Sequence, residues 1–300
     1  MNLTLSEFVG AAGGGALGAA LGGLLAFSLL GAVTIGAALV ATAASSTLLA
    51  SVAFGSVLGP HVMFAGGVAA AAYAAHRGLH PSGRDIAMPL IVYSHAPVLL
   101  VGAAFGVLGQ LVARLIGAVP ALSDSAGTPI TITDPIAVSV LVTAILATAI
   151  WRRGAVDQPA RQVWLPWQRD PTQALTLAAT TGCATGAIYL AWPEESRGVV
   201  ALFVYGISAL SLLALVFDKP VPVTHHITLT AALAAGLVAE HVTSDGWILL
   251  AAVGGAVGAA LLAEIWARTV LVRSPVHIDP PAFAIAAVAS VLACARWGFF

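Results

Sequence analysis

From Phe8 to Ala75 the chain contains no Asp, Glu, Lys or Arg. At roughly 20 residues per helical span, that run could cross the core of a bilayer more than twice. A soluble domain cannot bury so much continuous apolar surface. The whole chain of 300 residues reads the same way, with 59% hydrophobic residues, 8% charged and a mean hydropathy of +0.98, outside the range of soluble globular proteins. An all-α integral membrane protein of many passes is therefore expected. The 31 glycines suit it, because inside a bilayer small residues let helix backbones approach and packing replaces the hydrophobic drive.

Several classes are excluded at once. The start, MNLTLSEFVGAAGGG, lacks the positively charged region of a cleaved signal peptide, so the first span is expected to be retained. A formal net charge of -1 and the lack of a basic run argue against a nucleic-acid partner. Cys183 and Cys294 fall in apolar segments without metal-ligand spacing and are expected to be packing residues. There is no H-E-x-x-H, G-x-S-x-G, P-loop or dinucleotide fingerprint, so no enzyme chemistry is indicated. The glycine-rich 10–23 stretch lacks a Lys-Ser/Thr ending and is read as helix packing.

Breaking the apolar stretches at Pro, Gly and charges predicts ten spans, at 8–30, 31–54, 60–76, 97–118, 134–151, 172–192, 197–217, 224–241, 247–269 and 280–298. The 60–76 and 224–241 elements are short for a span and are read as candidates for broken or re-entrant helices. With an outside N-terminus, the inside loops hold Arg77, Arg84, Arg152, Arg153, Arg161, Arg169, Lys219, Arg268 and Arg273, while Arg114, Arg197 and Arg296 fall outside. That asymmetry follows the positive-inside rule. It places both termini outside the plasma membrane.

The two halves match in order. PHVMFAGGVAAAAYAAH (60–76) parallels HHITLTAALAAGLVAEH (225–241), QLVAR (110–114) parallels EIWAR (264–268), and TDPIA (133–137) parallels IDPPA (278–282). Thus His61 pairs with His226, His76 with His241, Gln110 with Glu264, Arg114 with Arg268 and Asp134 with Asp279. The expected architecture is a 5+5 inverted repeat: 1–151 as the first five-helix repeat, 152–171 as a cytoplasmic linker, and 172–300 as the second. Five spans is an odd number, so the second copy enters from the opposite face. This is the recurrent plan of transporters and related channels, whose site lies where the repeats meet.

Ionisable groups inside such a bundle are costly and mark candidate sites. His61, His225 and His226 open two apolar helices, with Pro60 as a first-turn proline and Thr224 as an N-cap. They could line a pathway, ligate a metal ion or only satisfy helix ends. His76 and His241 end their helices, where a cation is favourable. Asp134 and Asp279 precede prolines at span starts and read first as N-caps, with a cation or proton site as their second role. His277 could join Asp279 there. Glu264 is one turn from Arg268, which suggests a local ion pair, and Gln110 shows that a polar group recurs at that position. His80 and His95 lie in the 77–96 loop and are not singled out.

The strings FGSVLGPHVMFAGGVAAAAYAA (54–75), PVTHHITL (222–229) and HIDPPAFAI (277–285) resemble those of an uncharacterised prokaryotic family of multi-pass membrane proteins. The resemblance implies that the neighbourhoods of His61, His225/His226 and Asp279 are family features, and it implies no substrate. The functional expectation is a transporter or channel for a small solute or ion: a cation, a metal ion or a proton-coupled solute. Its lining groups would be His61, His225, His226, Asp134, Asp279, Glu264 and Gln110. A metal-bound membrane enzyme using His61, His226, His277 and Asp279, or a structural subunit of a membrane complex, are the alternatives. The expected partners are the lipid bilayer, the solute and further copies of the chain.

Overall fold

The computed structural model of the chain describes residues 3–40, 47–119, 122–123, 129–151 and 170–299. The 152–169 stretch of the expected linker lies outside the described residues. Those described are almost wholly helical, with one short antiparallel pairing of Leu122–Ser123 with Pro129–Ile130. The principal helices are α1 (Leu5–Leu21), α2 (Gly23–Val40), α3 (Ala65–His76), α4 (Ala96–Gly117), α5 (Pro135–Trp151), α6 (Pro171–Ala191), α7 (Val200–Ser211, with a further turn at Leu213–Val216), α8 (His225–Ala239), α9 (Asp245–Thr269) and α10 (Pro280–Phe299). Seven helical stretches are long and apolar enough to cross a membrane, and three more, α1, α5 and α8, are apolar but shorter.

The boundaries depart from the expected spans where backbone chemistry intervenes. The first break falls at Gly22, not near residue 30, because Gly22 adopts φ 84°, the left-handed region that a side chain disfavours. The third span is longer than the 60–76 segment. It begins at Leu49 as a wide π-type helix, loses helical geometry at Gly55, restarts at Pro60 as a second π-type turn, and becomes regular only in α3. Cys183 and Cys294 are both free and exposed, so the expectation that they pack inside the bundle is corrected.

Helix starts are well specified. Thr4 and Glu7 form a capping box on α1. Asp170 accepts from the N–H groups of Thr172 and Gln173 at the start of α6, and Asp134 and Asp279 cap α5 and α10. Thr224 is different: it stands at the N-cap of α8, yet its side chain makes no capping bond, and its carbonyl accepts from Ile227 and Thr228. Several serine and threonine hydroxyls within the bundle bond back to carbonyls one turn earlier, as Thr34 does to Leu30, and so add no unsatisfied donor.

The same helix pairs pack in both halves. α1 lies on α4 as α6 lies on α9, α3 on α4 as α8 on α9, α4 on α5 as α9 on α10, and α3 on α5 as α8 on α10. Between the halves the main contacts join α2 to α7 and α5 to α10. The α2–α7 seam is backbone to backbone: a Cβ on Gly31 would sit 2.7 Å from the Gly206 carbonyl oxygen, and one on Gly206 3.0 Å from that of Gly31. Across the α5–α10 seam, Thr133 Oγ1 donates to the Ala286 carbonyl at 3.1 Å. Ala286 lies about two turns, roughly 10 Å, into α10, so the starts of α5 and α10 run past each other deep in the bundle.

Candidate functional site

Four helix starts, two from each half, meet at one small cavity of about 60 Å³. Pro60 opens the segment that continues into α3, His225 is the first residue of α8, and Asp134 and Asp279 stand immediately before α5 and α10. The remaining wall is aromatic and aliphatic and includes Phe27, Phe54, Phe64 and Tyr205. The local sequence explains the convergence. Asp-Pro places a carboxylate acceptor before a residue preset for the first helical turn. Asp134 Oδ1 accepts from the Ala137 N–H at 2.7 Å, and Asp279 Oδ2 from that of Ala282 at 2.8 Å.

The aromatic rings form a connected cluster. Phe27 lies 5.7 Å from Phe64 and 5.9 Å from Tyr205, while Phe54 lies 5.7 Å from Tyr205. The His225 ring packs 4.7 Å from Phe27 and 5.8 Å from Tyr205. Such edge and tilted contacts suit ring quadrupoles. Both Asp134 and Asp279 are within electrostatic reach of Tyr205, and Asp279 also of His225. His277 Nε2 donates to Asp279 Oδ1 at 3.1 Å.

Behind the cavity wall the histidines divide. His61 Nε2 is 2.8 Å from Gln110 Oε1. An amide oxygen only accepts, so that nitrogen carries the proton and donates, leaving Nδ1 buried without a partner. The close approach depends on Gly109, where a Cβ would fall 1.6 Å from the His61 carbonyl oxygen. His226 is fully buried and neither ring nitrogen has a partner. His225 Nδ1 is also buried and unpartnered.

Of the residues singled out in the sequence, Asp134, Asp279 and His225 line the cavity. His61 and His226 stand immediately beside Pro60 and His225, Gln110 serves His61, and Glu264 pairs with Arg268 in the expected local ion pair. The metal-ligand expectation for His61, His226, His277 and Asp279 finds no geometry to carry it. Among the described residues no three of His, Cys, Asp and Glu are grouped to hold a metal ion. Of those four, only His277 and Asp279 bond to each other. His80 is structural: Nε2 donates to the Asp85 carbonyl at 2.9 Å and Nδ1 accepts from Tyr93 at 2.8 Å.

Sequence reasoning missed the four aromatic residues, because periodicity and apolarity do not separate a cavity wall from a core. It also missed an open cleft of about 590 Å³ lined by Glu194, Arg197, Glu240 and Arg296. Glu240 and Arg296 pair at 2.6 Å, and Arg197 lies over the Tyr189 ring at 5.5 Å from its centre. Asp134 lines both this cleft and the small cavity.

A bundle of long apolar helices, with carboxylates and unpartnered imidazoles gathered at interior helix starts, defines the class: a helical protein built like one that spans membranes, with a polar site inside it. The sequence profile of a family of unknown function, DUF7973, matches the chain twice, over residues 1–156 and 148–298. The chain belongs to this family. No curated protein and no solved structure matches it.

Proposed function

We propose that this protein is a transporter or channel for a small cation, built as two inverted five-helix repeats in the cell membrane with both termini outside. The observation that carries this reading is the single cavity at which helix starts from both halves meet, with a carboxylate from each half on its wall. In a pair of full-length inverted spans the two starts would lie about 30 Å apart, on opposite faces. Here α5 and α10 overlap by about two turns at their starts, which supports a position for Asp134 and Asp279 inside the membrane. Helix starts that end inside the bundle are how inverted-repeat transporters build a site near the midplane.

The duplicated profile match and the matched helix pairs support the repeat. An odd number of helices per repeat supports inversion. The cleft acts as the vestibule, and Asp134 stands at the junction between it and the cavity. A cation is favoured over an anion because the cavity wall bears two carboxylates and no Lys or Arg.

Flux through proteoliposomes, measured for a panel of monovalent cations and protons, tests the reading. A saturable flux that falls at least tenfold in Asp134→Asn supports it, and a tight membrane with no flux for any of them overturns it. Topology is tested separately with reporters on the 152–171 linker and at the C-terminus. They should report opposite sides, and finding both on one side removes the inverted arrangement.

A further inference from the structure

We infer that the cavity binds a small ammonium-type cation, ammonium itself or methylammonium, held between the Asp134 and Asp279 carboxylates and the faces of Phe27, Phe64 and Tyr205. The inference deepens the transport reading of the same site. Three features of the cavity select this chemistry. Its wall is poor in oxygen: the side chains supply the two carboxylates and the Tyr205 hydroxyl, and the rest is ring or aliphatic carbon. A bare alkali ion must replace its water shell with a ring of oxygens, which this wall does not offer. An ammonium ion is satisfied by a few N–H acceptors and by aromatic faces, whose quadrupole attracts cations.

The second feature is an unsatisfied ring nitrogen. His225 is 5% exposed and its ring lines the cavity, yet Nδ1 has no hydrogen-bond partner. A neutral imidazole has one bare nitrogen able to accept an N–H, and the Asp134 and Asp279 carboxylates accept others. The third feature is size. About 60 Å³ is room for a water-sized cation or one carrying a single methyl group, and too little for a quaternary ammonium. The starts of α5, α8 and α10 contribute partial positive charge, which offsets part of the charge on the two carboxylates. The bound cation is then held loosely enough to leave, as permeation requires.

The test is binding of radiolabelled methylammonium to the purified full-length protein in detergent, at constant ionic strength, with competitors. We expect saturable binding that ammonium displaces, while sodium, potassium and tetramethylammonium at the same concentration do not. Phe27→Leu keeps apolar bulk but removes the ring and should weaken binding about threefold to tenfold. Asp279→Asn should weaken it more. Gel filtration of both variants shows that they remain folded, and the competition series on the unaltered protein stands without them. No saturable binding, or displacement by sodium or potassium as efficient as by ammonium, overturns the inference. Liposome flux separates this from the transport reading: sodium flux without methylammonium binding sinks only the ligand class, whereas methylammonium binding with no flux of any cation sinks only transport.

Discussion

In the first half His61 donates to Gln110, and Arg114, one turn further along α4, reaches across to Glu7 of α1. In the second half the matched positions hold His226, Glu264 and Arg268, and the connections are redrawn. α6, the counterpart of α1, contains no acidic residue. Glu264 takes the Arg268 guanidinium on its own helix, and His226 keeps two unpartnered ring nitrogens. The matched positions thus hold polar groups in both halves, while an amide in one and a carboxylate in the other make different hydrogen bonds. In the first copy these groups join neighbouring helices. The second leaves buried imidazole capacity beside the cavity.

The largest effect is expected at the backbone contact between Gly109 and the His61 carbonyl. Gly109→Val puts a branched side chain where a single Cβ already lies 1.6 Å from the His61 carbonyl oxygen. The Pro60–Phe64 segment must move, and overpacking of this kind costs about 3 kcal/mol or more. Gly258, on the matching helix α9, has open space where its Cβ would be. Gly258→Ala should leave the protein as stable or raise stability by about 0.5–1 kcal/mol through helix propensity. Thermal unfolding in detergent reads both. Equal losses would show that crowding against the His61 carbonyl is not what Gly109 avoids.

Next in size is the histidine contrast itself. Gln110→Leu leaves the buried His61 N–H without an acceptor, at a cost of about 1–3 kcal/mol. His226→Leu removes a ring that makes no hydrogen bond and should cost clearly less. The same unfolding measurement decides it, and a greater loss for His226→Leu would show that its nitrogens have an unseen partner.

A smaller difference separates the two aspartates. Each caps its helix, a role worth about 1 kcal/mol, but only Asp279 also accepts from a histidine, at 3.1 Å. Asp279→Ala should therefore destabilise by about 1 kcal/mol more than Asp134→Ala. His277→Ala should close most of that gap, and an unchanged gap in the double variant would remove the His277 bond as its cause.

These contrasts also mark what the sequence could carry. Composition was sufficient for a bundle of helices long and apolar enough to cross a membrane, because a helix satisfies the backbone groups of such a run within itself. The Asp-Pro pairs announced their own caps, and the four-residue spacing of Glu264 and Arg268 announced their ion pair. The break at Gly22 was hidden among many glycines, since composition does not say which one takes positive φ. The 49–64 segment was hidden because its wide turns follow from Gly55, Gly59 and Pro60 acting together. The overlap of α5 and α10 is a three-dimensional fact. It brings two caps at span starts to the wall of one cavity, where Phe27, Phe54 and Tyr205 join them from segments that carry no polar signal.

The smallest effect is expected at the outermost matched pair of caps. α1 begins with a capping box, in which Thr4 and Glu7 satisfy each other's backbone donors, while α6 begins with Asp170 alone. The Gln173 and Thr172 N–H groups bonded to the Asp170 carboxylate hold its pKa below the usual value of 3.8. A carboxyl lowered in the folded state adds stability that is complete above its unfolded pKa and disappears as pH falls through the folded one. The capping of α6 should therefore hold at neutral pH, start to weaken near pH 3.8 and be gone once the lowered pKa is passed. Amide hydrogen exchange at Thr172 and Gln173 should accelerate over that acid range relative to amides in the middle of α6. Asp170→Asn, which caps without titrating, should flatten the pH dependence. An unchanged acid response in that variant would assign the fraying of α6 to a group other than its cap.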